Sequence, residues 1–257
     1  MNTTSRIRTV NGMRYKGIVF DKDGTLLDFE RCWLPVARHA LMTLLDELGL
    51  PSELLPDLLA AGGIHGETYD IDGVFCYGTG AMMIDVIIRW LEAHGVKDDR
   101  NKLAGLIMRI TDASYVYGEM KPDCENIVGV FERLRGMGLR IALATSDNRA
   151  GAMKCLETFG IARFFDEIYC DDGVHSKPDP YFMRVFCGKY VFDACEVVMV
   201  GDTPSDASFA KNSGAAMVAV AKNEHNTAIL APVSDAVIHD ISQIFTFLDC
   251  NITDGDA

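Results

Sequence analysis

The chain has 257 residues, 49% of them apolar, enough for one large domain or for a core with a smaller companion. Its formal net charge of −13 repels the phosphates of nucleic acid and an anionic membrane surface, which argues against both as partners. No apolar run is long enough to span a bilayer, residues 1–9 are mostly polar, and the eight cysteines form neither a C-x-x-C pair nor a zinc-finger grouping, so a cytoplasmic location with reduced thiols is expected.

In chain order, Asn11-Gly12 between Arg6–Val10 and Met13–Tyr15 has the form of a tight hairpin turn. Gly17–Phe20 is an apolar strand ending at Asp21. Beyond Asp28 the spacing of apolar residues turns helical over Cys32–Leu48, Ala81–His94 and Asn101–Tyr117. Asp72-Gly73 marks a second hairpin, between Tyr69–Ile71 and Val74–Tyr77. This block of about ninety residues interrupts the strand–helix rhythm. It reads as a mainly helical insertion, residues 30–116, that folds as its own domain, with the chain re-entering the sheet near Lys121-Pro122. From there the apolar runs Arg140–Ala144, Val197–Val200, Ala216–Val220 and Ala236–Ile238 alternate with amphipathic stretches. Those stretches are Asn126–Arg135, Arg149–Phe159, Pro180–Tyr190 and Pro204–Ser213. Such alternation predicts right-handed crossovers and a parallel, doubly wound sheet. The fold class is therefore α/β, with a Rossmann-like core built from residues 1–29 and 117–257.

Ligands of open α/β sheets bind beyond the carboxyl ends of the strands, and four motifs fall at such ends. Asp21-Lys22-Asp23-Gly24-Thr25-Leu26 follows the first strand, with two carboxylates able to face one point and a glycine that permits a tight turn around an anion. Thr145-Ser146 follows Arg140–Ala144, where a hydroxyl and successive N–H groups at a helix start suit a phosphate oxygen. Lys177, in Lys177-Pro178-Asp179-Pro180, can neutralise phosphate charge. Gly201-Asp202-Thr203-Pro204-Ser205-Asp206 follows Val197–Val200, and its two carboxylates suit Mg²⁺ as hard oxygen ligands. Taken singly, each motif has a plainer reading: a polar turn, an N-cap, a solvated lysine, a capped loop.

In this order and at these positions, the four motifs resemble those of the haloacid dehalogenase superfamily, over about Tyr15 to Leu248, with the phosphoglycolate phosphatase-like branch as the nearest subgroup. The insertion is similar to the helical cap those proteins carry between their first and second motifs. The resemblance implies Asp21 as the nucleophile that forms an aspartyl-phosphate. It implies Asp23 as general acid/base, also giving Mg²⁺ its backbone carbonyl, and Lys177 as the lysine that steadies nucleophile and phosphoryl oxygens. Thr145 would bind phosphate, joined by Ser146, Lys177 and Lys22. Asp21, Asp23, Asp202 and Asp206 would form the metal site, with Asp206 in the metal or lysine shell. Ser146 and Asp147 stand where phosphoglycolate phosphatases often carry Asn-Lys, which bears on the substrate and leaves the reaction intact.

Asp23, two residues after the nucleophile position, marks phosphatases and phosphomutases within the resemblance. The implied reaction is Mg²⁺-dependent hydrolysis of a small phosphorylated metabolite. A sugar phosphomutase similar to β-phosphoglucomutase would use the same motifs, and a non-catalytic binding protein on this fold is the third reading. The cap is expected to close over the site and choose the leaving group. Arg31, Trp33, His65 and the Gly78-Thr79-Gly80 loop are candidate cap contacts, with ordinary packing or a plain turn as the alternative for each.

Overall fold

The structure, a computed structural model, describes residues 14–250, so the hairpin expected around Asn11-Gly12 lies outside the described residues. The described chain divides into two compact units: residues 27–122, and residues 14–26 together with 123–250. The strands in chain order are β1 (Gly17–Phe20), β2 (Ile64–His65), β3 (Thr68–Tyr69), β4 (Arg140–Ala144), β5 (Glu167–Tyr169), β6 (Val197–Gly201), β7 (Ala216–Val220) and β8 (Ala236–Ile238).

The discontinuous unit is a six-stranded sheet in the order β5-β4-β1-β6-β7-β8, parallel throughout. Its central strands are buried along their length apart from Arg140 at the start of β4, as expected where helices cover both faces of a parallel sheet. Every residue of Gly17–Phe20 and Val197–Gly201 is buried. The register sets Phe20 level with Leu143 and Val200, so the residues that follow β1, β4 and β6 emerge at one edge. Chain order reverses about β1, which places that edge at the switch point of the sheet. The connecting helices include Ile127–Gly136, Arg149–Thr158, Tyr181–Tyr190 and Pro204–Ser213. Phe131, fully buried on the first of these, packs against Phe20 and Phe165 with ring centroids 5.2 Å and 5.1 Å apart.

The second unit is helical, with a two-stranded ribbon of β2 and β3. Its long helices are Phe29–Glu47, Gly80–Ala93 and Arg100–Ser114, joined by the shorter Leu55–Ala61. Asp28, Thr79 and Asp99 cap the three long helices, each accepting an N–H of the first turn. Leu44, Leu45, Leu91, Leu103 and Ile107 lie in its core. Pro35 sits inside the first helix without breaking it. A proline has no N–H to donate, which orphans the carbonyl four residues earlier. That carbonyl, of Arg31, accepts the N–H of Glu119 at 3.0 Å instead. The returning chain is held close here: a Cβ on Gly118 would lie 2.4 Å from the Cys32 carbonyl oxygen.

Asp72-Gly73 does not turn a hairpin. The hairpin falls earlier, with β2 and β3 joined through Gly66 at φ +60°, and Val74–Tyr77 is a short helix. The segment folds back on the end of Leu55–Ala61: Gly63 O accepts Asp70 N–H at 2.8 Å and Gly62 O accepts Phe75 N–H at 3.0 Å. Gly73 is a glycine of close approach, since a Cβ there would come within 3.0 Å of Asp70 O. The dipeptide has turn chemistry, but these tertiary bonds decide its conformation.

Phe131→Ala should destabilise the sheet unit by about 3–5 kcal/mol, the usual loss for a buried aromatic replaced by alanine. Urea unfolding followed by circular dichroism should show the midpoint of that unit fall.

Candidate active site

The edge defined by β1, β4 and β6 gathers the chemistry. Asp21 extends the ladder by one bond, its N–H donating to Val200 O at 2.8 Å, which fixes the start of its side chain relative to β6. The Lys177 ammonium donates to Asp21 Oδ1 and, at 2.6 Å, to Asp206 Oδ1. All three side chains are buried, Lys177 being 5% exposed. Asp206 uses its second oxygen too: Oδ2 accepts the Thr203 hydroxyl at 2.7 Å and the Thr203 N–H at 3.0 Å. These close a capping box at the start of Pro204–Ser213, so a helix terminus and the site lysine share one carboxylate. Asp202 accepts the Thr25 hydroxyl on Oδ1 at 3.2 Å.

Two glycines make room for these groups. Gly24 holds φ +76°, and a Cβ on it would lie 2.0 Å from Asp202 Oδ2. A Cβ on Gly201 would lie 2.3 Å from the Asp206 carboxyl carbon. Neither clash can be relieved without moving a site carboxylate.

Carboxylate oxygens of Asp21, Asp202 and Asp206 all lie within 4.8 Å of one another. Burial pushes the Asp21 carboxyl up to about 7 against the pull of Lys177, and Asp206 and Asp23 add to the rise. Burial, then Asp21 and Asp206, carry Asp202 well above the ordinary carboxylate range. Burial works against the Lys177 charge, but Asp206 and Asp21 outweigh it and hold the ammonium above its usual value. Three buried acids stand about one ammonium, all their donors are hard oxygens, and the shifts express burial first and the crowding of carboxylates after it. That donor set fits a divalent cation that prefers oxygen.

The other expected residues stand beside this cluster. Thr145 is buried at the end of β4, its N–H donating to Tyr169 O at 3.0 Å and its hydroxyl accepting the Asp147 N–H at 3.1 Å. Ser146 follows in the same turn. Lys22 is buried, with its ammonium 2.6 Å from Asp23 Oδ1 and 3.2 Å from Asp147 Oδ2. Reading the sequence missed Asp147 and Thr25. Asp147 carried a signal, being an acid two residues after Thr145 where the resembled branch often has a base; Thr25 looked like an ordinary turn residue. The candidate cap contacts have partners within their own unit: Arg31 pairs with Asp28 and Glu119, the Trp33 ring meets Tyr115 edge-on, His65 meets Asp70 at 2.9 Å, and Thr79 caps a helix.

A buried cluster of carboxylates with a lysine between two of them stands at the switch point of a parallel α/β sheet, the place where enzymes of this architecture bind their ligands. The chain belongs to the haloacid dehalogenase-like hydrolases: a model of that family matches residues 15–214. Among curated relatives, "Probable phosphatase IndB" of Dickeya dadantii is 30% identical over 230 residues, covering 87% of this chain and 88% of that protein. The phosphoglycolate phosphatase of Pasteurella multocida is 26% identical over 243 residues, covering 92% of this chain and 99% of that protein. The crystal structure of a predicted phosphoglycolate phosphatase from Haemophilus somnus superimposes with a TM-score of 0.71 at 20% identity, covering 91% of this chain and 97% of that one. At that identity the likeness speaks for the fold.

The raised Asp21 sets a pH signature. The native state holds a proton that the unfolded chain releases near 3.8, so this group stabilises the metal-free protein at low pH and the contribution is lost as pH rises through about 7. A divalent cation competes with that proton. The rise in melting temperature caused by the cation should therefore be larger at pH 8 than at pH 5.5, and it should vanish in Asp202→Asn; differential scanning fluorimetry reads both.

Proposed function

We propose that this chain is a Mg²⁺-dependent phosphatase that hydrolyses a small phosphate monoester through an aspartyl-phosphate on Asp21, in the manner of a phosphoglycolate phosphatase. The observation that carries the reading is the Lys177 ammonium held between Asp21 and Asp206 at the switch point of the sheet, with Asp202 alongside. The names of the curated relatives support it.

Phosphoryl transfer is governed by positioning and by neutralising charge. Asp21 attacks phosphorus, and Lys177, bonded to one of its oxygens, orients the carboxylate and offsets its repulsion of the phosphate. The Thr145 hydroxyl, with Ser146 and the N–H groups after Asp21, binds the phosphoryl oxygens. Asp23 gives a proton to the departing alkoxide, then takes one from the water that hydrolyses the acyl phosphate. Asp206 acts behind Lys177, since both its oxygens are engaged by Lys177 and Thr203. Asp21, Asp202 and the Asp23 carbonyl would hold Mg²⁺, which supplies charge stabilisation to the phosphoryl oxygens when bound.

The helical insertion, residues 30–116, is proposed to act as a cap that limits access to small phosphorylated metabolites. Cytoplasmic action is part of the proposal. Among the described residues no helix is long and apolar enough to cross a membrane. All eight cysteines are free thiols, in keeping with a reducing compartment.

Phosphate release from a panel of small esters tests the reaction. Activity should disappear in excess chelator and return with Mg²⁺, and Ca²⁺ should restore it poorly because it favours a larger, looser ligand shell. Full activity in chelator would refute the metal role. A need for a bisphosphate primer, with no free phosphate formed, would identify a mutase instead.

The two carboxylates of the first motif should separate by leaving group. Asp21→Asn should abolish turnover of every ester. Asp23→Asn should lose about 10²–10⁴-fold on alkyl phosphates and much less in the first step on p-nitrophenyl phosphate, whose leaving group needs no proton. A phosphate adduct should then accumulate on the Asp21 peptide, visible by mass spectrometry and absent from Asp21→Asn.

A further inference from the structure

Lys22 is the least expected residue of the site. It lies between two site residues, Asp21 and Asp23, yet its side chain is only 2% exposed. A lysine buried merely to fill space is a poor choice, because an apolar side chain of similar length avoids the desolvation of the charge. The ammonium is instead placed between two carboxylates that come from different strand ends. Its distance to Asp23 Oδ1 is 2.6 Å and to Asp147 Oδ2 is 3.2 Å. Burial lowers the tendency of Lys22 to stay charged, but Asp23 and Asp147 together raise it above the ordinary lysine value.

Asp147 is itself held by several partners. Its Oδ1 accepts the Asn148 N–H at 2.7 Å and the Asn148 side-chain amide at 3.1 Å, which leaves Oδ2 turned to Lys22. Its own N–H donates to the Thr145 hydroxyl at 3.1 Å. A Cβ on Gly151 would lie 2.4 Å from Asp147 Oδ2, so that helix leaves bare the space the oxygen occupies. A chain of contacts thus runs from the turn after β4, through Asp147 and Lys22, to the Asp23 carboxylate.

We propose that Lys22 and Asp147 are positioning residues: Asp147 fixes the Lys22 ammonium, and Lys22 holds the Asp23 carboxylate in the orientation that meets the leaving-group oxygen. This rests on the phosphatase reading and deepens it. It replaces a direct contact between Lys22 and substrate phosphate, and it gives Asp147 a part in catalysis without contact with the substrate. An acid beside Thr145 would otherwise oppose the phosphate it binds; the Lys22 charge cancels that opposition.

The test compares Lys22→Met, Asp147→Ala, Asp147→Asn and the double variant Lys22→Met/Asp147→Ala with the wild type, in Mg²⁺, on p-nitrophenyl phosphate and on an alkyl ester such as glycerol phosphate. Each variant is first checked for folding by circular dichroism, and Asp147→Ala, at a less buried position, carries the comparison if Lys22→Met does not fold. On the alkyl ester Lys22→Met and Asp147→Ala should each lower kcat/KM, which reports departure of the leaving group, by about 10²-fold, the scale of a misplaced group. The loss in kcat/KM on the aryl ester should be far smaller, and the inhibition constant of inorganic phosphate should hold within about two-fold, because phosphate-binding groups are untouched. The double variant should be no slower than Lys22→Met, since the two residues act through one chain. Asp147→Asn, which keeps an oxygen for Lys22, should recover much of the rate lost in Asp147→Ala. The proposal is overturned if the losses multiply, if the losses in kcat/KM are equal on both esters, or if weaker phosphate inhibition replaces the kcat/KM effect, which would make Lys22 a phosphate ligand. An active wild type with an equally active Lys22→Met also overturns it alone. A wild type that releases phosphate from no ester removes the phosphatase reading and this inference with it.

Discussion

Like charges crowded out of water repel one another, and at the carboxyl edge of this sheet three acids are buried within reach of a single cation. The site depends on how that conflict is contained. Lys177 offsets part of it by bonding Asp21 and Asp206 together. The Thr203 hydroxyl and N–H take the remaining oxygen of Asp206, so both oxygens of this acid have donors. Asp21 and Asp202 have fewer partners, and burial first, with their acidic neighbours adding to it, drives both carboxyls upward. The unrelieved charge suits the cluster to a hard cation.

The backbone pays attention to these carboxylates through glycine. Gly24 clears Asp202, Gly201 clears Asp206 and Gly151 clears Asp147, each at a separation that no Cβ could share. Only Gly24 also needs a positive φ; the other two are small because an acid occupies the space above them. Glycines of this kind are read most naturally as turn or helix punctuation, and their steric reason appears only when the neighbouring chain segment is in place.

That contrast separates what the sequence discloses from what it does not. The strands β1, β4, β6, β7 and β8 are contiguous apolar runs and were legible as such. β5 was not: Glu167-Ile168-Tyr169 is a half-buried edge strand of three residues, too short and too mixed to announce itself. The helices Leu55–Ala61, Glu224–Leu230 and Ile244–Cys250 escaped for the same reason of length. Asp21, Asp202, Lys177 and Asp206 could be singled out because each lies at a strand end or a helix start, and the structure brings them together as one cluster. The salt bridge from Lys22 to Asp147 spans separate strand ends, and no spacing rule reaches across it. The Asp72-Gly73 turn failed because tertiary bonds to Gly62 and Gly63 outweigh a dipeptide preference.

The two crossings of the chain between its units lie side by side. Leu26 O accepts the N–H of Asp123 at 2.9 Å, Leu27 bridges Pro122 in antiparallel fashion, and Asp28 N–H donates to Lys121 O at 2.9 Å. One step further on, the carbonyl freed by Pro35 takes up Glu119. A segment whose ends are adjacent closes a loop that the sheet can accommodate at little entropic expense whatever its length. The intervening stretch is thereby a cassette: it can lengthen, shorten or be exchanged for another without disturbing the pairing of β1 with β4 and β6.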